Sequence, residues 1–544
     1  MTAPPRPAPA PPAPVPAAVP AAVPAAVPAA VPAAEPAPRR GPVDLPGPEG
    51  DNSIAREPLW YAYGAGADAP QPPPWTWQPQ PPPDTHVPPP PPRGGAPRTG
   101  LPLGTHERLA ALPYPALPAA GDASGPQAEP AADRLGRALV TAFGPQRREP
   151  ENPYNDHRPY ASPRCLFPVH AFVDGGAGMP WRLLDPDRHA LTGAPGPAGT
   201  PGDVLLTGRY TTVPPAYQWF RGSLVAIELG FVLRSLSLGL ELFGLPARLR
   251  PPGPDALDRL AALGLDDTWA WSLPFVVEPA GAPRPAEPEP AAVPEPPAHL
   301  ARTDPALAEI VRVNREQTYR SGTAPLTTAV PAGLGPSSTA PDWAELLWRR
   351  HSGRMPRALH GMSGRRRRQP AEILDSAARW LAVPPPGYEL ASAFDTLKVT
   401  AVVQGVEGQA DGVHRLRDGA TRLLRADPTA SERLEERYGY GVSPVNGCGI
   451  RDAPLTVFLS VRPRALFERL GTAGWGAVQH AAGWAAHGLC LSAAASGLFA
   501  RPVRAFKEIP TQRVLGLDPD EMIVLSVVVG VPQATGGALL DLRL

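Results

Sequence analysis

The chain has 544 residues, and its 82 Pro and 53 Gly together make up about a quarter of them, which excludes a single compact fold over the whole length. Acidic and basic residues balance at 51 each, so the chain lacks the overall basic field of a nucleic-acid or anionic-membrane binder. Length alone predicts about two to four domains, and 43% hydrophobic residues suffice for a sizeable core once the Pro-rich segments are set aside.

The three cysteines, Cys165, Cys448 and Cys490, are far apart and form no CxxC pair. This pattern argues against a disulfide framework and against a cysteine zinc site, so we predict no metal centre. The N-terminus has no basic region followed by a continuous apolar core, which argues against a secretory signal. We therefore expect a cytoplasmic protein.

Proline dominates residues 1–100, which we predict to be a disordered Pro/Ala-rich tail. A PAAV repeat places a proline every four residues over residues 16–36. Each proline would remove a helical hydrogen bond, so the segment favours disordered or polyproline-like backbone. Pro-rich sequence continues to Arg93. A ligand for SH3-type domains, and with it an adaptor function, is the alternative to a solubilising tail.

A second Pro-rich stretch predicts the boundary between two folded halves. Residues 279–297 alternate proline with alanine and glutamate, a composition typical of linkers. We therefore divide the remaining chain into a first half of residues 101–278, a linker of residues 279–340 and a second half of residues 341–544.

Each half contains one long apolar segment that predicts a helix. These segments, residues 221–246 and 471–500, align without a gap at a spacing of 253 residues. Gly230 then matches Gly483, which favours a repeated helix over two unrelated helices of similar composition. The second segment is uncharged and long enough to span a bilayer, but its glycine and alanine content favours a helix buried in a soluble core.

Short runs rich in valine, leucine and phenylalanine predict strands around these helices. The first half contains PVHAFV, and the second contains LKVTAVV, LTVFLSV and MIVLSVVVG. Because strands alternate with long helices, we predict an α+β fold with an antiparallel or mixed sheet flanked by long helices.

A basic cluster follows the predicted helix WAELLWRR. Its members stand at or just past the helix end, before a proline: Arg349, Arg350, His351, Ser352 and Arg354. Arginine forks beside a hydroxyl and a glycine suit a phosphate, which carries nearly two negative charges. A solvated basic surface is the alternative, and it is the interpretation we prefer for the arginine run 365–368.

The sequence RHSGR in this cluster resembles the R-[RH]-S-x-[RK] signature of FMN-dependent nitroreductase-fold proteins. Other segments resemble the SagB-type, or azoline dehydrogenase, branch of that family: RPYASPRCLFP with Ser162, the weaker echo LASAFDTL with Ser392, VEGQADGVHRL, AAGWAAHGLCLSAAASGL and FKEIPTQRVLGLDPDEMIVLSVVVG. The resemblance covers most of residues 341–530 and, more faintly, residues 148–245. It implies two tandem nitroreductase-like copies that form a pseudo-dimer, the first of them degenerate.

The resemblance also implies FMN as the cofactor. In this family the signature holds the flavin phosphate and ribityl chain, which implies cofactor contacts for Arg350, His351, Ser352 and Arg354. Matching positions in the other segments add Ser162, Ser392, Arg504 and Ala505. No catalytic residue is assigned. Candidates for a proton acceptor are Tyr438, Tyr440, His480 and His487, with buried structural roles as the alternative for the two histidines.

Two family motifs are altered in this chain. Arg469 and Leu470 stand where azoline dehydrogenases carry a Lys-Tyr pair, and the chain's two lysines, Lys398 and Lys507, offer no relocated pair. An arginine and a leucine cannot replace a basic amine beside a phenol. The family's GGF motif reads Arg-Ala-Phe at residues 504–506. Flavin binding is therefore better supported than azoline oxidation.

These observations predict an FMN-dependent oxidoreductase that tailors a ribosomal peptide natural product, by azoline to azole oxidation or a related step. Its substrate would be a peptide or small molecule and its partner a cyclodehydratase-type protein, whereas nucleic acid and membranes are not expected. The alternative is a catalytically degenerate scaffold within a peptide-modifying complex. The flavin site would lie within an internal pseudo-dimer or between two chains of a homodimer.

Overall fold

The computed structural model describes residues 96–118, 129–150, 156–176, 179–194, 199–282, 292–353, 364–417, 419–437, 449–504, 506–532 and 539–543, together with residues 89 and 92. Most of the predicted tail, residues 1–88, therefore lies outside the described residues. Several residues singled out by the sequence also lie outside them: Arg354, Tyr438, Tyr440, Cys448 and Ala505.

The first half folds as an antiparallel sheet packed against one long helix. Its helices are α1 (Thr105–Ala110), α2 (Ala131–Phe143), α3 (Phe220–Leu242) and α4 (Ala256–Ala261). Its strands are β1 (Arg98–Gly100), β2 (Arg147–Arg148), β3 (Asp156–His157), β4 (Val169–Val173), β5 (Arg182–Asp185), β6 (Ala190–Thr192), β7 (Val204–Gly208), β8 (Ala247–Arg250) and β9 (Phe275–Pro279).

Part of the Pro-rich segment expected to link the halves is structured and packs on the first half. It forms α5 (Leu300–Thr303), α6 (Pro305–Glu316) and β10 (Ala324–Pro325). Asp304 caps α6 by accepting from the Leu307 amide at 3.1 Å, and it forms an ion pair with Arg221 at the start of α3. Since β10 pairs with β8, the first sheet has the strand order β1-β6-β5-β4-β7-β9-β8-β10.

The second half repeats this architecture. Its helices are α7 (Trp343–Arg349), α8 (Glu372–Leu381), α9 (Tyr388–Thr396), α10 (Ala430–Glu435), α11 (Pro463–Leu470), α12 (Gly474–Ala495) and α13 (Glu508–Leu515). Its strands are β11 (Gly364–Arg365), β12 (Lys398–Val403), β13 (Gly412–Arg417), β14 (Ala420–Ala426), β15 (Leu455–Val461), β16 (Phe499–Val503), β17 (Met522–Pro532) and β18 (Leu540–Asp541).

The two sheets share one strand order. It is β6-β5-β4-β7-β9-β8 in the first sheet and β14-β13-β12-β15-β17-β16 in the second, with antiparallel neighbours throughout. In each half the long helix follows the fourth of these strands in the chain. The central strand β15 is buried along its whole length, which explains its unbroken apolar sequence. The predicted α+β fold is confirmed.

The long helices α3 and α12 pack together at the centre of the molecule. Gly230 lies against Gly483, the Phe231 ring lies 5.8 Å from that of His487, and Arg234 lies beside Gly488. Residues further along α3 contact residues further along α12, so the two helices run in the same direction. Both are buried on nearly every face, which explains their largely apolar sequences, although α3 also buries Arg221, Glu228 and Arg234. One hydrophobic core continues through both halves.

The central position of α3 and α12 explains why both are long and apolar. In the described part of the chain, α3 is the helix that is long and apolar enough to cross a bilayer, and 89% of its most apolar window is buried within the protein. The uncharged segment of the second half forms α12, which is buried in the core as predicted.

Candidate functional site

The predicted basic cluster lies at the end of α7, where the two halves meet. Asp342 caps the helix by accepting a hydrogen bond from the Glu345 amide at 2.8 Å. Trp343 is fully buried, and its indole donates to the Ala116 carbonyl at 2.8 Å. Arg350 follows the last turn in extended backbone, with φ −61° and ψ 115°. The cap and the buried tryptophan thus fix where α7 begins, and Arg350 follows its last residue.

Arg350 is a buried cation that has no acidic partner among the described residues. It is 3% exposed, its Nη2 donates to the Arg158 carbonyl of the first half at 2.8 Å, and its Nη1 lies 3.5 Å from Ser352 Oγ. Its Nε has no hydrogen-bond partner in the described part of the chain. Burial lowers the pKa of this guanidinium. A buried cation is costly unless an anion accompanies it, so the position is suited to anion binding.

A second arginine, from the first half, holds the main chain of the cluster. Arg147 on β2 donates to the carbonyl of Trp348 and, at 3.3 Å, to that of Arg350. Its guanidinium also lies over the Trp348 ring, 5.6 Å from the centroid. Carbonyls at a helix C-terminus lack partners within the helix and favour a cation. Arg147 therefore holds the backbone of Arg350 in place, and the Arg350 side chain extends to the Arg158 carbonyl.

The residues after Arg350 run along the edge of the second sheet. The Ala500 amide in β16 donates to the His351 carbonyl at 3.0 Å, and the Gly353 amide donates to His351 Nδ1 at 3.2 Å. Burial and two neighbouring arginines lower the pKa of His351 well below its ordinary value. Gly353 has φ 90°, a region that favours glycine. His351 is thus a neutral side chain that shapes the turn and leaves Ser352 beside Arg350.

Arg350 faces the first-half segment RPYASPRCLFP, residues 158–168, which contains Arg158 and Ser162. We call this segment the Ser162 wall. Ser162 Oγ donates to Glu228 at 2.6 Å and accepts from the Phe167 amide at 2.8 Å. Glu228 on α3 also accepts from the Val169 amide at 3.3 Å. Burial raises the pKa of Glu228 to about 8, so the carboxyl is largely protonated at neutral pH. The wall is therefore tied to the central helix by a neutral acid.

This wall also contains strained backbone. Arg164, Cys165 and Phe167 have φ of 52°, 53° and 50°, a region that costs free energy for residues other than glycine. The Arg158 guanidinium lies 4.1 Å from the centroid of the Phe167 ring. Such strain persists only where the surrounding structure imposes it, and it is typical of functional sites.

The other predicted cofactor residues make contacts elsewhere. Arg504 forms an ion pair with Glu508 at 3.3 Å and lies over the rings of Phe506 and Phe220, at 4.7 and 5.8 Å from their centroids. Its charge is therefore already matched by a buried carboxylate. Ser392 is buried on α9 in the second half, and no hydrogen bond among the described residues links it to Arg350. Ala505 and Arg354 lie outside the described residues.

The two histidine candidates are structural side chains of α12: His487 is fully buried, and His480 is half-buried. His480 Nδ1 is hydrogen-bonded to Tyr319 Oη at 2.9 Å, and burial lowers the pKa of His480 to about 3. His487 packs edge-on against Phe231, and burial lowers its pKa well below the ordinary value. Both imidazoles are therefore neutral at physiological pH, as expected of structural side chains.

Arg469 and Leu470, which the predicted SagB-type resemblance aligns with a Lys-Tyr pair, lie at the end of α11. Arg469 lies on the surface and pairs with Asp395 at 3.4 Å. Leu470 packs partly buried against the core. This stretch therefore offers no group for proton transfer to a buried substrate.

Sequence reasoning missed the residues that position the cluster. Arg147, Arg158 and Glu228 act through contacts between segments that are far apart in the chain. One available signal was the occurrence of Glu228, an acidic residue, inside a mostly apolar helix. Buried acids are rare unless they have a specific partner.

Comparison with known proteins identifies the fold. No family profile and no curated protein sequence match the chain. A solved structure described as a nitroreductase from Anabaena variabilis matches with a TM-score of 0.56 at 16% identity, over 80% of this chain and 92% of that one. The chain has the nitroreductase fold. A match over 80% of the chain includes parts of both halves.

Other similar structures cover smaller parts of the chain. A nitroreductase from Ralstonia eutropha matches 38% of this chain and 90% of its own, at 18% identity and a TM-score of 0.27. The E. coli microcin synthetase McbBCD complex matches 31% of this chain and 65% of its own, at 13% identity and a TM-score of 0.26. The predicted nitroreductase-like fold is confirmed, and the SagB-type branch stays a prediction.

Proposed function

We propose that this chain is an FMN-dependent oxidoreductase whose flavin phosphate binds at Arg350. One observation carries the proposal: the guanidinium is 3% exposed, its Nε has no partner in the described residues, and no described carboxylate neutralises it. A phosphate with nearly two negative charges would supply the missing counter-charge. The nitroreductase fold of the chain supports a flavin as its carrier.

The chain's own residues fit the phosphate end of FMN. Arg350 offers a planar fork, Ser352 offers a hydroxyl beside it, and Gly353 allows the backbone to approach a ligand closely. We propose Arg354 as a second cation on the RHSGR pattern. When bound, FMN would accept a hydride from a C–H bond beside nitrogen or sulfur. The protein would bind and orient the phosphate and keep water from it by burial.

We further propose that the halves are tandem copies forming an internal pseudo-dimer. Their common strand order and the contact between Gly230 and Gly483 support this arrangement. The site then combines the signature of the second half with the Ser162 wall of the first. Because one chain supplies both parts, a second chain is not required to complete it.

The proposed substrate rests on the SagB-type resemblance. We propose a peptide with azoline rings, delivered by a cyclodehydratase-type partner in the cytoplasm. Oxidation of an azoline to an azole would remove one hydride, which FMN would accept when bound, and one proton, for which we propose water as the acceptor, since neither Arg469 nor Leu470 can serve as the base. Mass spectrometry of an azoline peptide incubated with flavin-loaded protein should show the loss of two hydrogen atoms.

The flavin proposal is tested by the absorbance spectrum of the purified protein and by identification of any released flavin. Arg350→Ala should weaken FMN binding by about 10- to 150-fold, since a hydrogen bond to a charged group contributes about 1.5–3 kcal/mol. Arg349→Ala is the matched control, because Arg349 is partly exposed and pairs with Glu345 at 2.8 Å. Failure to bind FMN even at excess would refute the proposal.

A non-enzymatic scaffold is the second candidate. The observation that favours it is the pairing of Arg469 with Asp395 on the surface, where the family's Lys-Tyr pair would act. A scaffold should bind no flavin and should keep its partner after Arg350→Ala. Co-purification of the partner with the wild-type and variant proteins distinguishes the two candidates.

A further inference from the structure

The two sheets share one strand order, and on this basis the segment that follows α7 has a counterpart in the segment that follows α6. The first segment runs beside β16, where the Ala500 amide donates to the His351 carbonyl at 3.0 Å. The second runs beside β8, where the Leu326 amide donates to the Ala247 carbonyl at 3.0 Å. β8 and β16 hold the same place in the two sheets, and Ala247 and Ala500 are 253 positions apart. The segment after α6 is therefore placed as a second Arg350-type site would be.

The two segments also make similar contacts with residues that precede matching strands of the two sheets. Ser162 and Ser392 stand in matching Ala-Ser pairs, 230 positions apart, before the matching strands β4 and β12. Arg350 contacts the first of these segments through the Arg158 carbonyl. The main chain after α6 contacts the second through Glu389, which accepts two of its amides at 2.8 Å. The residues before Ser162 therefore contact the segment that follows α7, and the residues before Ser392 contact the segment that follows α6.

Tyr319 takes the place of Arg350 in the counterpart site. The Ser-Gly pair of residues 352–353 recurs at residues 321–322, so the residue two positions before serine is an arginine in one site and a tyrosine in the other. Tyr319 is 3% exposed, and its hydroxyl is hydrogen-bonded to His480 Nδ1. Burial raises the pKa of Tyr319 and lowers that of His480, so both stay neutral. This pair offers no positive charge to a phosphate.

Glu389 supplies a negative charge where the counterpart site would hold the phosphate. Its side chain is buried, at 5% exposure. One carboxylate oxygen accepts from the Arg320 and Ser321 amides at 2.8 Å, and the other accepts from the Ser321 hydroxyl. Converging amide and hydroxyl donors of this kind bind anions. An external phosphate would therefore meet donors already used and a like charge.

A small cavity lies beside Tyr319. It measures about 30 Å³ and lies between the N-terminal ends of α3 and α12, lined by Tyr319, His480 and Gln479 among others.

We propose that Glu389 is an internal substitute for the flavin phosphate, so that this chain binds one FMN, at Arg350, and none at Tyr319. The inference rests on the proposed function and adds an asymmetry to it. The first half completes the Arg350 site with its Ser162 wall, and in the counterpart site the Glu389 carboxylate occupies the amide and hydroxyl donors that a phosphate would need.

The test measures released flavin per chain and melting temperature for the wild type, Arg350→Ala and Glu389→Gln, with Glu468→Gln as a control at an exposed glutamate. The wild type should hold one FMN per chain, and Arg350→Ala should lose most of its flavin during purification, because its binding is about 10- to 150-fold weaker. Glu389→Gln should keep one FMN but melt about 2–5 °C lower without added flavin, because a neutral amide oxygen accepts weaker hydrogen bonds from the two backbone donors than a carboxylate does. The control should melt as the wild type does.

Each outcome bears on a different part of the proposal. Two FMN per wild-type chain, or flavin retained by Arg350→Ala, would overturn the single-site inference. An unchanged melting temperature for Glu389→Gln would overturn the role of Glu389 whether or not flavin binds. Absence of flavin from the wild type at excess FMN, with the Glu389→Gln shift present, would reject the proposed function and leave Glu389 as an internal anion.

Discussion

Gly230 and Gly483 lie against each other where α3 and α12 cross, and each packs on a carbonyl of the opposite helix. A Cβ on Gly230 would overlap the His480 carbonyl, and a Cβ on Gly483 would overlap the Ile227 carbonyl. Ile227 and His480 are 253 positions apart, as the two glycines are. The contact is therefore reciprocal, as at a two-fold interface between identical subunits.

Alanine at either glycine should destabilise the protein by about 1–3 kcal/mol, because backbone packed this closely leaves no room for a methyl group. Gly230→Ala and Gly483→Ala should cost similar amounts, since their surroundings are equivalent. Chemical denaturation measures both. Gly335→Ala is the control, because a Cβ there meets no atom within 4 Å. A large loss from one substitution and none from the other would contradict the reciprocal packing.

Arg350→Met should weaken FMN binding by about 10- to 150-fold and should cost the flavin-free protein less stability than Arg234→Met, since Arg350 donates to one carbonyl, that of Arg158, and Arg234 donates to three. The guanidinium is buried without an acidic partner among the described residues, so replacing it by an apolar side chain removes a desolvation cost. Thermal unfolding with and without FMN is the measurement. The wild type should melt higher when FMN is added, and the variant should respond less at the same FMN concentration. A marked fall in the melting temperature of the flavin-free variant would show that Arg350 is structural.

Arg234→Met should destabilise the protein by about 3–5 kcal/mol, although Arg234 is as deeply buried as Arg350. Its guanidinium donates to the carbonyls of Ala329, Trp484 and Trp380 at 2.9–3.2 Å. The substitution would leave these carbonyls without that donor and remove a contact between the two central helices. Denaturation of both methionine variants under the same conditions tests the contrast. Equal stability losses would contradict it.

Glu228 should make the protein less stable as the pH rises. Burial raises its pKa from 4.5 to about 8, so between these values the folded state keeps a proton that the unfolded state releases. Since the folded state then binds more protons, the free energy of unfolding falls with rising pH, by up to about 1.4 kcal/mol per unit. The contribution is constant below the unfolded pKa.

Glu228→Gln isolates this effect, because glutamine imitates the protonated acid and does not titrate. Urea unfolding of both proteins from pH 5 to pH 8 should show the variant losing less stability than the wild type. The difference between the two curves cancels other buried acids such as Asp203, whose pKa burial raises to about 7. Parallel curves would mean that Glu228 does not carry the proton.

Local patterns were sufficient for most of the secondary structure. The strand predicted at Leu455–Val461 has those bounds in the structure, and the first long apolar segment forms Phe220–Leu242. The Pro-rich composition of residues 279–340 concealed α6 and β10, which pack on the first half. Proline at the first turn of a helix is compatible with helical backbone, and Pro305 occupies that position in α6.

The sequence by itself determined the long helices, the strands around them and the position of RHSGR directly after a helix, because side-chain periodicity and turn residues act over a few positions. Only the tertiary structure decided which arginine has an ionic partner. Arg504 is paired with Glu508, whereas Arg350 is buried against Arg158, nearly two hundred positions away, without a described carboxylate. The electrostatic free energy of a buried charge depends on what surrounds it in space, and no local pattern encodes those neighbours.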